Sequence, residues 1–377
     1  MDISSLSKSE IEKNNTNRNL FLLAIAFFAL LLIQSAFHPI KEVALAGAAY
    51  SSALRVNRLE DWIDRSAQQS VEHWAKSSLG FRPALVRIIN QLRLTLLEEH
   101  NPNVVFGKDG YYFEEGYRAS VCGLDFLGEE AVKAKIDSLD MFRNQLLIRG
   151  KSLVILIAPN KWRTHHKKID WGCKPKMTNY EMMIDKLKHR GYAICDEIDL
   201  FQYEQSQHPP FALHSKQGTH WSIFGAALSA DHLWMTFAQE GIRLPEFKIV
   251  KEEIDSIPRN TDKDLHDLLN IMVPPQRERL AYPEFEFSQG FKPRVTVIGD
   301  SYYQSYYYLG LHQGLFSMDS KYFYYNKSYF GEDLEQKAVL TDEIRLEEIE
   351  ASDAVLLVIS EPSLKWFGFG ILGLYTD

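Results

Sequence analysis

Apolar and polar positions along this chain fall into three regimes. From Leu20 to Ile33 fourteen apolar residues run without a break, and the run reaches Phe37 interrupted only by Gln34 and Ser35. Eighteen helical residues at ~1.5 Å each reach ~27 Å, enough to cross a thin hydrocarbon layer. Between residues 55 and 100 the spacing becomes three and four: Leu59, Trp62 and Ile63, then Val71 and Trp74, then Leu85, Ile88, Ile89, Leu92 and Leu96. That pattern predicts two helices, divided by Gly80 and Pro83. Beyond Pro102 short apolar runs alternate with helical ones. The stretch from Val104 to Phe113 frames a Lys108-Asp109-Gly110 turn and predicts a hairpin. A helix over 129–148, with Val132, Ile136, Leu139 and Leu147 on one face, leads into the run Leu153 to Ile157. A helix from Thr178 to about Arg190 precedes Ala193-Ile194-Cys195, Ser222 caps a helix reaching Gly241, and Val295 to Ile298 and Ala354 to Ile359 add two more buried-type strands. The stretch from Pro274 to Pro293 has no periodicity and predicts a long loop over the site or at a partner contact.

Helices alternating with such strands imply an α/β fold, a mostly parallel sheet flanked by helices. The first apolar run sets the compartment. Lys8, Lys13 and Arg18 precede it, whereas the fifteen residues after Phe37 hold only Lys41, so the basic flank points to an inside amino terminus. The expected organisation is a cytoplasmic tail (1–18), a single transmembrane signal anchor (19–38), a membrane-proximal helical region (39–100) and a main domain (101–377) on the periplasmic side of an inner membrane. A cleaved secretory signal is the competing reading. Its small residues Ala44, Ala46, Ala48 and Ala49 lie well past the apolar run, with Pro39 and Lys41 between.

Composition changes this picture little. With 377 residues, 45% hydrophobic, 24% charged and a net charge of −8, the chain is neither disordered nor built for nucleic acid. Cys122, Cys173 and Cys195 contain no C-x-x-C, which excludes a thiol redox motif or a zinc ribbon and leaves at most one intramolecular disulfide of open pairing. No helical His pair with a glutamate appears; His165, His166, Lys167 and Lys168 read as a solvated basic loop, and neither metal nor cofactor is expected. The stretch from Gly368 to Gly373 matches a dinucleotide fingerprint by letter but leaves no room for the helix that would hold a pyrophosphate.

Chemistry is expected where buried parallel strands end. Three such ends carry polar groups: Asn160-Lys161, Gly299-Asp300-Ser301-Tyr302 and Ser360-Glu361. Gly299 permits a tight turn that presents Ser301 at the start of a helix, placed like a nucleophile, although Asp300 or Ser301 as a plain helix cap explains the same letters. The matching base is His220 in Gly218-Thr219-His220-Trp221-Ser222, with Trp221 fixing the loop. Tyr302, Tyr303, Tyr306, Tyr307 and Tyr308 offer aromatic faces for sugar rings.

Taken in order, these blocks resemble the alginate O-acetyltransferase family of the AlgJ/AlgX type, SGNH-hydrolase-like envelope proteins. The resemblance runs from about residue 55 to the end. It rests on Leu59-Glu60-Asp61-Trp62, Gly80-Phe81-Arg82-Pro83, the 105–113 hairpin, Ala158-Pro159-Asn160-Lys161, Thr219-His220-Trp221, Asp264-Leu265-His266-Asp267-Leu268-Leu269 and Gly299-Asp300-Ser301-Tyr302. It implies an SGNH-hydrolase-like fold and transfer of acetyl to hydroxyls of an envelope or secreted polysaccharide, with a membrane-bound O-acyltransferase as acetyl donor. Ser301 would carry the acetyl, His220 would take and return the proton, and the Ser301 amide would face the oxyanion. Asn160, Lys161, Tyr302 and Trp221 would serve as oxyanion donors or substrate contacts. One position departs from the pattern: the family's His block reads Asp-x-His-Trp, and Gly218 stands where the Asp belongs. A Ser-His dyad, an acid arriving from elsewhere, or a degenerate, non-catalytic polysaccharide-binding or assembly subunit each accounts for that. If the acid is simply missing, Gly218→Asp restores it.

Overall fold

The computed structural model describes residues 8–47 and 66–375. Leu59, Glu60, Asp61, Trp62 and Ile63, like Ala48 and Ala49, lie outside the described residues. The chain divides into two compact units, one of residues 1–100 with 267–274, the other of 101–266 with 275–377.

In the first unit α1 (Lys8–Phe37) contains a segment, Asn15–Phe37, whose mean hydropathy of 2.5 makes it long and apolar enough to cross a membrane. After it come α2 (Ser66–Ser78) and α3 (Arg82–Leu97), separated where Gly80 and Pro83 predict the break. Pro83 suits the first turn of α3, where its missing N–H costs nothing. Gly80 is required by contact: a Cβ there would lie 2.5 Å from both Gln34 Cβ and the Leu31 carbonyl oxygen, and its N–H donates to Ser35 Oγ at 2.7 Å. Asn270 closes the unit, accepting from Ala46 N at 2.9 Å, while Asn90 donates to Leu269 O at 3.1 Å.

The second unit begins with the predicted hairpin, β1 (Val104–Phe106) and β2 (Tyr112–Glu114), followed by α4 (Glu129–Ile148), β3 (Ser152–Ala158), α5 (Asn179–His189), β4 (Ala193–Asp196), α6 (Glu197–Ser206) and α7 (Ile223–Gln239). Thr178 and Glu181 form a capping box on α5, and Ser222 caps α7 by accepting from Gly225 N. Next are β5 (Phe247–Asp255), α8 (Asp264–Leu269), β6 (Leu280–Phe287), β7 (Val295–Gly299), α9 (Gln304–Tyr308), β8 (Lys321–Tyr324), β9 (Ser328–Phe330), β10 (Ala338–Val339), α10 (Asp342–Ala351) and β11 (Ala354–Ser360). The main sheet has the order β10-β9-β8-β7-β11-β3-β4. Its five strands from β8 to β4 pair in parallel, and β9 and β10 extend it antiparallel.

Successive side chains of the central strands bury on opposite faces, which is why these strands read as unbroken apolar runs. Leu153, Ile155, Val355 and Leu357 pack under α4, α5 and α10 with Val132, Met183 and Ile349. Val154, Leu156, Val297 and Leu356 pack under α7 with Ala226, Leu233 and Phe237.

Three expectations need correction here. Leu147 is exposed, and the inward positions of α4 after Leu139 are Phe142 and Leu146, which continue the 3.6-residue period more faithfully. The 274–293 stretch is not a structureless loop, since β6 lies inside it and pairs antiparallel with β5. Pro283 within β6 hid the strand, although the alternation Phe285-Glu286-Phe287 marks it. The tyrosines after Ser301 do not form a sugar surface: Tyr302, Tyr303, Tyr306 and Tyr307 are buried and only Tyr308 is exposed. The pairs 302/303 and 306/307 lie four residues apart, so one inward face takes all four. The open cysteine question resolves as a Cys122–Cys173 disulfide with Cys195 buried and free.

The chain passes from β3 outward to β4 and from β7 outward to β8, and β11 enters between them last. The loops after β3, β7 and β11 therefore converge at one carboxyl edge. Gly299 makes that convergence possible, because a Cβ there would sit 2.9 Å from both Cβ and the carbonyl oxygen of Val358 on β11. Gly299→Ala is expected to destabilise the protein by about 1–3 kcal/mol through overpacking, read as a lowered denaturation midpoint.

Candidate active site

β7 ends at Gly299 and hands the chain to Asp300, whose extended backbone and side chain cap the short turn Ser301–Tyr303 by accepting from Tyr302 N at 3.2 Å. The other carboxylate oxygen of Asp300 accepts from Ser360 N at 2.8 Å and Ser360 Oγ at 2.6 Å, so Asp300 ties the ends of β7 and β11 together. The cap reading is correct for Asp300. Ser301 does something else: its hydroxyl lies 2.8 Å from His220 Nε2.

The opposite ring nitrogen of His220, Nδ1, hydrogen-bonds the Asp264 carboxylate. The second oxygen of that carboxylate accepts from Thr219 N at 2.7 Å. An acid on Nδ1 holds the proton there and leaves Nε2 to accept from the serine hydroxyl. Asp264 thus occupies the orienting position that the His block lacks, reaching it from the first residue of α8. Its block was legible in the sequence; its role was not, because a contact across 44 residues leaves no local trace.

Gly218 now has its own explanation. A Cβ there would come within 2.2 Å of Thr261 O, 2.7 Å of Ser215 Oγ and 3.0 Å of the Asp262 carbonyl carbon. The segment before Asp264 fills the space an acid at 218 would need. The expectation that Gly218→Asp restores a missing acid is therefore reversed.

Of the remaining predicted residues, none presents a spare donor to Ser301. Asn160 is fully buried, donating to Tyr117 O and Ser120 Oγ at 3.0 Å each and accepting from Trp162 N. Lys161 is buried with its ammonium on Lys216 O at 2.8 Å and Gly218 O at 2.7 Å, and burial lowers its pKa to about 7. Trp221 donates to Tyr302 O at 3.2 Å, and Tyr302 donates to Thr219 O at 3.2 Å. These side chains knit the His220 loop to the Ser301 turn. Nor is His165 solvated as expected: it packs between Tyr111 and His214, and burial lowers its pKa to about 3.

Two side chains at the site carry no sequence signal. Glu114 on β2 lies near His220 and Thr219, and burial raises its pKa. Tyr325, with a left-handed backbone at φ 50°, lies near enough to Asp300 and Ser301 to feel both, and burial with the Asp300 charge keeps its phenol protonated. Tyr325 also lines a cavity of about 950 Å³ with Lys135, Lys327, Lys365, Trp366 and Phe369. Among the described residues, Cys195, Glu197 and His232 form the one group with donors close enough for a metal ion, and it shares no member with Ser301, His220 and Asp264.

A parallel sheet whose carboxyl edge gathers serine, histidine and aspartate in this way is the architecture of the SGNH-hydrolase-like domains. By sequence the chain belongs to the family described as SGNH hydrolase-like domain, acetyltransferase AlgX, whose pattern matches residues 104–315, more than half of its length. No curated protein matches it in sequence. Among solved structures it is similar to the O-acetyltransferase domain of Pseudomonas putida AlgJ, at 15% identity and a TM-score of 0.45 over 70% of this chain and 93% of that one. Pseudomonas aeruginosa AlgX is similar at 16% identity and 0.43 over 70% and 66%, and Bacillus cereus PatB1 at 12% and 0.44 over 69% and 96%.

Burial disfavours the charged form of His220, but the charge and hydrogen bond of Asp264, with Glu114 and Asp300 further off, outweigh it and raise the pKa above 6.5. If neutral His220 is the working base, ester turnover should fall as pH drops through that raised value. Asp264→Asn is expected to shift this acid limb to lower pH and to lower the plateau on the order of 10⁴-fold, measured as a kcat/KM profile. Gly218→Asp, by the clash above, should lower both turnover and melting temperature, the opposite of a restored acid.

Proposed function

We propose that the chain is a membrane-anchored O-acetyltransferase that moves acetyl groups onto hydroxyls of an envelope or secreted polysaccharide through an acyl-serine. The observation that supports this reading best is the continuous link Ser301–His220–Asp264 at the edge of the sheet. In the first half-reaction Ser301 Oγ attacks the donor's acetyl carbonyl and gives its proton to His220 Nε2. The tetrahedral intermediate collapses, the donor's oxygen leaves with that proton, and acetyl remains on Ser301. In the second half a sugar hydroxyl loses its proton to His220, attacks the acetyl carbonyl, and Ser301 departs as alkoxide to recover the proton.

The Ser301 amide and the Tyr325 hydroxyl are the donors suited to the developing oxyanion, and a protonated phenol serves there without paying for reorganisation. The cavity beside Tyr325, with its aromatic and lysine lining, suits a sugar acceptor. A membrane-bound O-acyltransferase as acetyl donor and a periplasmic position of the second unit complete the proposal, the latter resting on α1 and its basic amino-terminal flank. The alternative of a non-catalytic binding subunit drew its motive from Gly218, and Asp264 removes that motive.

The full chain in lipid nanodiscs, given an activated acetyl ester and an oligosaccharide acceptor, should acetylate itself at Ser301 and then the acceptor. Ser301→Ala should abolish the acetyl mass on that peptide, and His220→Ala should lower turnover on the order of 10³-fold or more. Undiminished acceptor acetylation by Ser301→Ala would refute the mechanism.

A further inference from the structure

The first unit carries an apolar surface that the proposed chemistry does not use. On α3, Ile88, Ile89, Leu92 and Leu96 are all exposed; Ile88 and Ile89 stand four and three residues before Leu92, and Leu96 four after it, a single stripe along the helix. Arg82 and Arg93 fall seven residues before and four after Ile89, along one border of that stripe. No Asp or Glu occurs between Arg82 and Leu97; Glu98 and Glu99 follow only after the last turn. The opposite face is committed to protein: Arg87 donates to Val43 O at 3.0 Å and Ala44 O at 2.7 Å, Asn90 holds Leu269 O, and Gln91 accepts from Met272 N and Val273 N. Met272 and Val273 are exposed too, as are Ile40 and Val43 in the segment leaving α1.

The position of this helix along α1 identifies what covers the stripe. The Gly80 corner that starts α3 touches α1 at Leu31, Gln34 and Ser35. Those residues lie six to two positions before Phe37, or ~9 to ~3 Å short of the end of the apolar helix. The 23-residue span Asn15–Phe37 is ~35 Å long, against a hydrocarbon core of ~30 Å. If α1 crosses the membrane, the corner and the first turn of α3 sit at the boundary between acyl chains and headgroups. Gln34 and Ser35, the polar residues that interrupt the run, meet the corner at that level; Gln34 is buried and bonded to Ile40 O at 2.6 Å. An amphipathic helix with arginines along one border of its apolar stripe fits that boundary: the stripe enters the acyl region and the guanidinium groups meet lipid phosphates.

We propose that α3 lies in the membrane interface as an in-plane helix, seating the first unit on the lipid surface through Ile88, Ile89, Leu92 and Leu96, with Arg82 and Arg93 on headgroup phosphates. The proposal rests on the reading of α1 as a membrane anchor, and the test separates the two. Full-length protein in nanodiscs carries one nitroxide at Phe28→Cys, Ile88→Cys, Leu92→Cys, Leu96→Cys or, as a water reference, Glu335→Cys, with unlabelled parent controlling for the buried Cys195. Collisions with apolar oxygen and with a water-soluble nickel chelate are compared. Labels at 88, 92 and 96 should favour oxygen over nickel, inverting the ratio found at 335, and Arg82→Gln with Arg93→Gln should shift the label at 92 back toward water. A lipid-buried label at 28 with water-like labels at 88, 92 and 96 overturns this proposal alone. Labels at those three positions shielded from both reagents overturn it in favour of a protein cover, such as residues 48–65 or a second copy. A water-accessible label at 28 overturns the anchor itself.

Discussion

One buried ammonium holds the candidate active site together. Lys161, almost fully enclosed, spends its proton donors on the carbonyls of Lys216 and Gly218, the two residues that set the course of the loop carrying His220. An enclosed lysine is costly unless it is bonded and opposed by negative charge. Here Glu278 and Asp264 supply most of that charge, Asp262 adding to it only when ionised, and burial still pulls the pKa down to about 7. The loop therefore cannot drift without stranding this group. Because His220 must meet Ser301 across 81 residues and Asp264 across 44, a rigid loop is what turns three distant segments into one hydrogen-bonded line.

The acids around that loop divide by environment. Asp262 is buried, and its carboxyl is pushed up to about 8 by desolvation, which makes it a neutral neighbour over most of the physiological range. Glu114 and Glu278 are also raised by burial. Asp264 alone hydrogen-bonds the imidazole, and its second oxygen is satisfied by a backbone N–H. Several carboxylates thus gather near one histidine without mutual repulsion dominating, and a single one orients the ring. The same crowding explains Gly218: the chain that delivers Asp264 passes so close that no side chain fits at 218. The departure from the family's His block and the new source of the acid are one structural fact.

How much of this the sequence disclosed depends on range. Strands buried on both faces announce themselves as β-branched runs, and β3, β7 and β11 appear within a residue or so of where those runs lie. Ser301 and His220 were legible because each sits in a short block at an element boundary. Asp264 was legible only as a block, since the contact that gives it meaning is nonlocal. The tyrosines misled because exposure was judged from residue chemistry, whereas α9 lies where Ser229 bonds Tyr306 and His312 bonds Tyr303, so their hydroxyls are satisfied inside the core. Strand β6 was concealed by Pro283, which a two-stranded sheet tolerates and a central strand would not.

Tyr325 shows where the fold stores strain. A bulky residue in the left-handed region costs about 1–2 kcal/mol, so something must hold it. Its own N–H is fixed on Gly299 O at 2.8 Å, at the very end of β7. Asn326, left-handed as well, is held by Arg345 on both its side-chain and backbone oxygens at 2.8 Å and donates to Phe369 O at 3.1 Å. The carboxy-terminal segment and α10 thereby brace the turn after β8 against relaxing. What the strain secures is the place of a phenol that lies near Asp300 and Ser301 and is part of the lining of the 950 Å³ cavity. One braced ring therefore joins the surroundings of Ser301 to the lining of that cavity, so a change in the turn after β8 reaches both at once.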